Sequence, residues 1–123
     1  MNDSDPISFF KHLIYGCKTR SRSYGSVCTL TIEQLIDLYE KQNKKCALSG
    51  IEMTTVRKAG KNIYNASIDR IIPGGDYSID NIRLVCNQVN MMRSNLSDCE
   101  LLFLCKSIVN TQDNEGNLKK TEC

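Results

Sequence analysis

Three oxygen-bearing side chains in the middle of the chain have the types and the order of a one-metal site. Asp69 lies in a short β-like segment, and the glycine-rich turn PGGD follows it. Asn81 and Asn90 come next. An aspartate supplies a charged oxygen ligand, an amide supplies a neutral one, and water completes the shell that Mg²⁺ prefers. The pattern therefore indicates a single site for a hard divalent cation.

The residues around this site resemble a known family. The segment SIDRIIPGGDYSIDNIRLVCNQVNMMRSN is similar to the ββα-metal core of HNH (His-Me finger) endonucleases. QNKKCALSGIEMT resembles the strand and turn that open many small phage-type members, and NLSDCELLFLCKSIV resembles their closing helix. The likeness runs from Ile32 to Val109. It implies the α+β class, a ββα-metal (His-Me finger) core with flanking helices at both ends, and metal-dependent hydrolysis of phosphodiester bonds in DNA.

The resemblance also implies a role for each residue. Asp69 and Asn90 would hold Mg²⁺ or Mn²⁺, and Asn81 would hold the loop between the strands by bonding its backbone. Arg70 completes the expected catalytic set. Structural alternatives remain open at this point. Asp69 could instead pair with Arg70 or cap a turn, and Asn90 could satisfy backbone groups at a helix end.

Arg70 is the main departure from the family pattern. An Asp-His pair often ends the first strand in active members, whereas this chain has Asp69-Arg70, as in a small phage-type branch. Arginine stays protonated and has no acceptor nitrogen, so it cannot take a proton from water. It could grip a phosphate instead, or occupy the place of the base in a protein that no longer cuts. The alternatives for the base are a metal-bound hydroxide or one of four side chains: Tyr77, Tyr64, Asp76 and His12.

The charge balance permits nucleic-acid binding without requiring it. The formal net charge is only +2 and the sequence pI is about 8.1. Clustered basic residues matter more than the total. The residues expected to contact nucleic acid are Arg70, Arg83, Arg93, Lys58 and Lys61. We expect double-stranded DNA as the partner, and with one site per chain two-strand cutting would need a homodimer or two successive nicks.

The cysteines and the apolar pattern bear on compartment. The chain has seven cysteines, and no two form a C-x-x-C pair. This favours reduced thiols in an intracellular protein, in the cytoplasm or a host nucleus, and it does not favour structural Zn²⁺. No apolar run approaches the roughly 20 residues of a membrane span. The polar start MNDSDP does not resemble a secretory signal.

The elements that must position the site follow from local signals. We expect a disordered N-terminus (1–5), a helical region (6–45), the ββα core with its closing helix (46–110) and a flexible tail (111–123). Asp5-Pro6 and the pair Thr31 and Gln34 are helix starts. The apolar residues expected on the buried side of the closing helix are Leu101, Leu102, Leu104, Cys105 and Ile108.

A second interpretation of the sequence is not enzymatic. The same fold could bind nucleic acid, or build a larger nucleoprotein assembly, with a degenerate metal site. Arg70 favours this alternative, and the joint presence of Asp69, Asn81 and Asn90 opposes it.

Overall fold

The computed structural model describes residues 5–57 and 62–115. Its elements, in chain order, are α1 (Pro6–Tyr24), α2 (Ile32–Lys41), β1 (Ala66–Arg70), a 3₁₀ turn (Ile79–Asn81), β2 (Ile82–Cys86), α3 (Asn87–Arg93) and α4 (Asp98–Glu115). Helices and one small antiparallel sheet make the fold α+β, which confirms the predicted class. The strand, strand, helix order of β1, β2 and α3 is the ββα arrangement that the sequence predicted.

The first two helices begin at the predicted residues. The Asp5 carboxylate accepts a hydrogen bond from the Ile7 N–H at 3.3 Å, with proline as the first helical residue. Thr31 and Gln34 cap α2 reciprocally, each side chain accepting from the other's backbone N–H at 3.2 and 3.0 Å. These caps satisfy N–H groups that have no partner inside a helix. Helix α1 continues to Tyr24 and stops where Gly25 adopts a φ of 76°.

The two strands pair in a register that sets the site. Asp69 lies directly opposite Arg83, and Arg70 lies opposite Ile82. Helix α3 begins immediately after β2 and contacts both strands. A side chain on α3 is therefore brought back beside β1, which lies earlier in the sequence.

The core lies between the first two helices and the sheet. Phe10, Leu35 and Leu84, from α1, α2 and β2, are fully buried. Gln42, at the end of α2, holds β2 with its side-chain amide: its nitrogen donates to the Leu84 carbonyl at 2.9 Å and its oxygen accepts from the Leu84 N–H at 3.1 Å. This amide takes the place of a neighbouring strand and fixes the sheet against the helices.

The closing helix differs from its prediction in length and in burial. Helix α4 continues to Glu115, so residues 111–115 belong to it and not to a flexible tail; residues 116–123 lie outside the described residues. Leu101 is buried, but Leu102, Leu104 and Ile108 are 45–63% exposed. The expected buried side of this helix was therefore wrong, because only its first turn packs closely against the core.

Two further expectations concern the region before β1 and the N-terminus. The segment expected as a strand and turn at 46–53 forms an isolated bridge between Lys45 and Glu52 around a turn. The predicted disorder of residues 1–5 concerns mostly residues 1–4, which lie outside the described residues. In the described part of the chain, six cysteines are unpaired. No helix in that part has the length and apolar character needed to cross a membrane.

Candidate active site

One cavity gathers five of the predicted site residues. It has a volume of about 360 Å³ and lies between the end of β1, the loop that follows it and helix α3. The predicted residues that line it are Asp69, Arg70, Tyr77, Asn90 and Arg93. Two other lining residues, Arg20 and Ser67, were not predicted. Arg20 comes from α1, far away in sequence, and only tertiary packing brings it here.

Asp69 is held by two arginines. Its side chain is 4% exposed. Arg83 Nε donates to one carboxylate oxygen at 2.8 Å, and Arg93 Nη1 donates to the other at 2.6 Å. The alternative in which Asp69 pairs with Arg70 is therefore not what the structure shows. These two bonds fix the carboxylate at the wall of the cavity.

Arg83 extends this ion network to the closing helix. Its two terminal nitrogens donate to the two oxygens of Asp98, at 2.8 and 2.5 Å. This bidentate bond, together with the bond to Asp69, raises the pKa of Arg83 above its ordinary value. The hydrogen bonds from Arg83 also hold the pKa of the Asp98 carboxyl below its ordinary value. Asp69, Arg83, Asp98 and Arg93 are called the aspartate clamp below.

Arg93 is the most deeply buried member of the clamp. It is 1% exposed and donates to the carbonyls of Arg70 at 2.7 Å and Ile71 at 2.8 Å. It thus ties α3 to the end of β1. Both Arg83 and Arg93 were expected to contact nucleic acid. In the structure their guanidinium groups donate to carboxylates and carbonyls of the protein itself.

Asn90 lies on α3, one turn before Arg93. Its side-chain nitrogen donates to the Ser67 hydroxyl at 2.6 Å. This bond crosses from α3 to β1 and leaves the amide oxygen as the atom of Asn90 that can serve a ligand. Ser67 is thus a positioning residue that the sequence reasoning missed. Ser67 lies two residues before Asp69, and residues at this spacing face the same side of a strand. This spacing could have predicted that Ser67 lies beside the site.

Asn81 holds the loop between the strands. Its side-chain oxygen accepts from the Ile72 N–H at 3.0 Å, and its nitrogen donates to the Asp76 carbonyl at 3.0 Å. Gly75 lies against this amide: a Cβ there would be 2.7 Å from the Asn81 nitrogen. The loop therefore requires both an asparagine at 81 and a glycine at 75.

Tyr77 lies between two arginines. The Arg70 guanidinium is 4.6 Å from the centre of the Tyr77 ring, and Arg20 Nε donates to the Tyr77 hydroxyl at 3.3 Å. Arg70 also donates to the Gly75 carbonyl at 2.9 Å. The ring is 6% exposed. Tyr77 thus orients both arginines at the cavity wall by cation–π and hydrogen-bond contacts.

The other predicted site residues lie elsewhere. The Asp76 carboxylate accepts from the Val27 N–H at 2.9 Å. Tyr64 is 47% exposed on the segment that leads into β1. His12 lines a separate cavity of about 260 Å³. Lys58 and Lys61 lie outside the described residues.

The oxygen donors in the cavity fit a hard divalent cation. An ionised carboxylate has about four lone-pair sites, and Asp69 uses two of them. Hydrogen bonds that fix a ligating carboxylate are a regular feature of metal sites. Within the described residues, no group of three or more His, Cys, Asp or Glu side chains is placed to hold a metal ion. Asp69 and Asn90 are the cavity residues whose oxygens could hold an ion that also takes water and substrate oxygens, as Mg²⁺ does.

Comparison with solved structures identifies the fold. The chain is similar to PacI, a rare-cutting HNH restriction endonuclease for which an extraordinary mechanism of DNA perturbation is described. The TM-score is 0.60 at 21% identity, and the match covers 91% of this chain and 82% of PacI. No protein-family model matches the chain, and the curated proteins give no significant match. The fold is therefore HNH-like, which confirms the ββα-metal fold with flanking helices.

Proposed function

We propose that this protein is an HNH-like endonuclease that hydrolyses phosphodiester bonds in DNA. The observation that carries the proposal is the convergence of Asp69, Asn90 and Arg70 on one cavity of an HNH-like fold. The cavity wall combines oxygen ligands for a cation with guanidinium donors for a phosphate. Double-stranded DNA is the proposed substrate, cut by a homodimer or in two successive nicks.

Asp69 and Asn90 are the proposed ligands of Mg²⁺ or Mn²⁺. When bound, such an ion supplies positive charge for the phosphate oxygens and for the leaving oxygen. The aspartate clamp holds the Asp69 carboxylate in one orientation, and Ser67 does the same for the Asn90 amide. Both ligands are therefore positioned before substrate arrives, which reduces the reorganisation needed during the reaction.

Arg70 and Arg20 are the proposed phosphate contacts. A guanidinium has five N–H donors, and Arg70 gives one to the Gly75 carbonyl. Arg20 gives one to the Tyr77 hydroxyl and one to the Cys17 sulfur at 3.3 Å. Each arginine retains further donors for phosphate oxygens, to which a planar guanidinium can bind in a bidentate manner. Arg83 and the buried Arg93 serve the carboxylate instead.

Tyr77 is the proposed base. Of the four candidate side chains, Tyr77 is the one that lines the cavity. Its oxygen accepts a hydrogen bond from Arg20, so its own proton is directed away from that arginine. In its deprotonated form the phenol oxygen would take a proton from the attacking water. Arg70, at the place of the usual histidine, binds phosphate.

The test of the proposal is conversion of supercoiled plasmid to the nicked form. Nicking is expected with Mg²⁺ or Mn²⁺ and none with excess EDTA. The endonuclease activity would be excluded if the folded protein shifts DNA on a gel but does not nick the plasmid with either ion.

That outcome would favour the second candidate, a nucleic-acid-binding or structural nucleoprotein component. One observation supports this candidate. Both oxygens of Asp69 already accept hydrogen bonds from arginines, so the carboxylate is neutralised without any metal ion.

A further inference from the structure

A second cavity adjoins the proposed active site. It has a volume of about 370 Å³ and shares four lining residues with the first: Arg20, Arg70, Gly74 and Tyr77. Its other lining residues are Tyr24 and Ser26. The two cavities are therefore neighbours with a common wall.

Tyr24 stands at this second cavity with its ring open to solvent. It is the last residue of α1 and is 83% exposed. Gly25, with a φ of 76°, ends the helix directly after it. Val27 then bonds the loop after β1: its N–H donates to the Asp76 carboxylate at 2.9 Å, and its carbonyl accepts from the Tyr77 N–H at 2.8 Å. The backbone on both sides of Tyr24 is therefore fixed relative to the cavity.

The chemistry of the lining suits a nucleotide. Arg20 and Arg70 supply positive charge, and none of the six lining residues is acidic. An exposed aromatic ring beside guanidinium groups is the usual combination for single-stranded nucleic acid, since bases stack on the ring and phosphates bind the cations. A base within a regular duplex offers only its edges, so a ring at this place needs an unstacked base.

We propose that the second cavity is a subsite for an unstacked nucleotide next to the scissile phosphate. Its base stacks on Tyr24, and its phosphate contacts Arg20. The position next to a scissile phosphate rests on the proposed function, whereas the stacking of a base on Tyr24 does not depend on cleavage. Tyr24 is thus a substrate-binding residue outside the proposed catalytic set.

The test uses a short single-stranded oligonucleotide that carries 2-aminopurine, whose fluorescence is quenched by stacking, with EDTA present to prevent cleavage. Tyr24→Ala is expected to weaken binding about tenfold and to reduce the quenching, because one base–aromatic stack is lost. Tyr24→Phe keeps the ring and is expected to bind like the wild type. Tyr15→Ala is the matched control, since Tyr15 is 69% exposed on the same helix and lines neither cavity.

The outcomes separate this inference from the proposed function. Equal binding by Tyr24→Ala and Tyr24→Phe, or no binding by the wild type, would overturn the subsite. If plasmid is still nicked in that case, the endonuclease stands and only the subsite fails. If binding depends on the Tyr24 ring but no plasmid is nicked, the subsite stands and the endonuclease fails.

Discussion

Arg93 and Asp69 form an ion pair that is almost completely buried. Arg93 Nη1 lies 2.6 Å from Asp69 Oδ1, and the two side chains are 1% and 4% exposed. The pair joins the helix of the ββα core to the first strand at the residue proposed to hold the metal ion. Fold stability and site geometry therefore depend on the same contact.

Removing the arginine of this pair should destabilise the fold strongly. Arg93→Ala leaves a buried carboxylate with one cation fewer and two carbonyls without a donor. We expect a loss of about 3–5 kcal/mol in the free energy of unfolding, measured by urea denaturation. The control is Arg22→Ala, an exposed arginine on α1, which should change stability by less than about 0.5 kcal/mol. Equal effects of the two substitutions would contradict the role of the clamp.

Asp98 makes the clamp sensitive to acid. Its pKa is held below the ordinary value by Arg83, so its ionised form stabilises the folded state. This contribution is present above the unfolded-state pKa, about 3.9, and is lost as the pH falls through the lower folded-state pKa. Asp98→Asn should therefore be less stable than the wild type at neutral pH, and the difference should shrink below about pH 4. Urea unfolding between about pH 2 and 7 measures this stability difference, with the exposed Asp113→Asn as control. A difference that does not change with pH would contradict the stabilising role of the ionised Asp98.

The loop after β1 should not accept a side chain at residue 75. The Cβ of Gly75→Ala would lie 2.7 Å from the Asn81 nitrogen and 3.2 Å from the Ile72 carbonyl. We expect a destabilisation of about 1–3 kcal/mol in thermal or urea unfolding. The same substitution should cost less in an Asn81→Ala background, where the closest atom is missing. Strictly additive effects would show that the two residues do not interact.

Tyr77→Phe should test the proposed base. The substitution removes only the hydroxyl that accepts from Arg20 and keeps the ring against Arg70. We expect the single-turnover cleavage rate to fall by about 100-fold or more. Tyr64→Phe, on a half-exposed tyrosine away from the cavity, is the control. An unchanged rate for Tyr77→Phe would assign the base elsewhere.

Metal binding should be coupled to DNA binding. The charged side chains of the clamp and cavity wall are four arginines and two aspartates, which leaves an excess of positive charge: Arg20, Arg70, Arg83, Arg93, Asp69 and Asp98. A divalent cation is repelled by this excess until a phosphate offsets it, so DNA should increase the affinity for Mn²⁺ at least several-fold. Titration of Mn²⁺ by electron paramagnetic resonance, with and without an uncleavable oligonucleotide, measures the effect. Equal affinity in both conditions would contradict the assignment of Asp69 as a ligand.

The local signals predicted most of the core and part of the site. Cap residues predicted the starts of α1 and α2, and the short β-like segment around Asp69 predicted β1, because these signals act over a few residues. The pairing of Asp69 with Arg83 depends on the register of the two strands. The register is set by the shape of the loop between the strands, and the sequence does not reveal that shape. Arg93 follows Asn90 by three positions, so a shared helix face was readable, but its burial was not. Arg20 reaches the cavity only through packing of α1.

The exposed apolar residues of α4 show a different limit. The helical spacing of Leu101, Leu104 and Ile108 correctly predicts a helix. The spacing does not say whether anything packs against these residues, and of the three only Leu101 is buried. Burial depends on where the helix lies relative to the core, and the periodicity of one segment carries no information about that.

The most direct test of the central claim, that Asp69, Asn90 and Arg70 form a phosphodiesterase site, is plasmid nicking by an Asn90 variant. Asn90→Ala removes one proposed ligand without leaving a buried charge unpaired, so the protein should stay folded, as judged by its thermal unfolding. Asn110→Ala, on the exposed face of α4, is the matched control. The account predicts that the wild type and Asn110→Ala nick supercoiled plasmid with Mn²⁺ and that Asn90→Ala does not. Nicking by Asn90→Ala at the wild-type rate would contradict it.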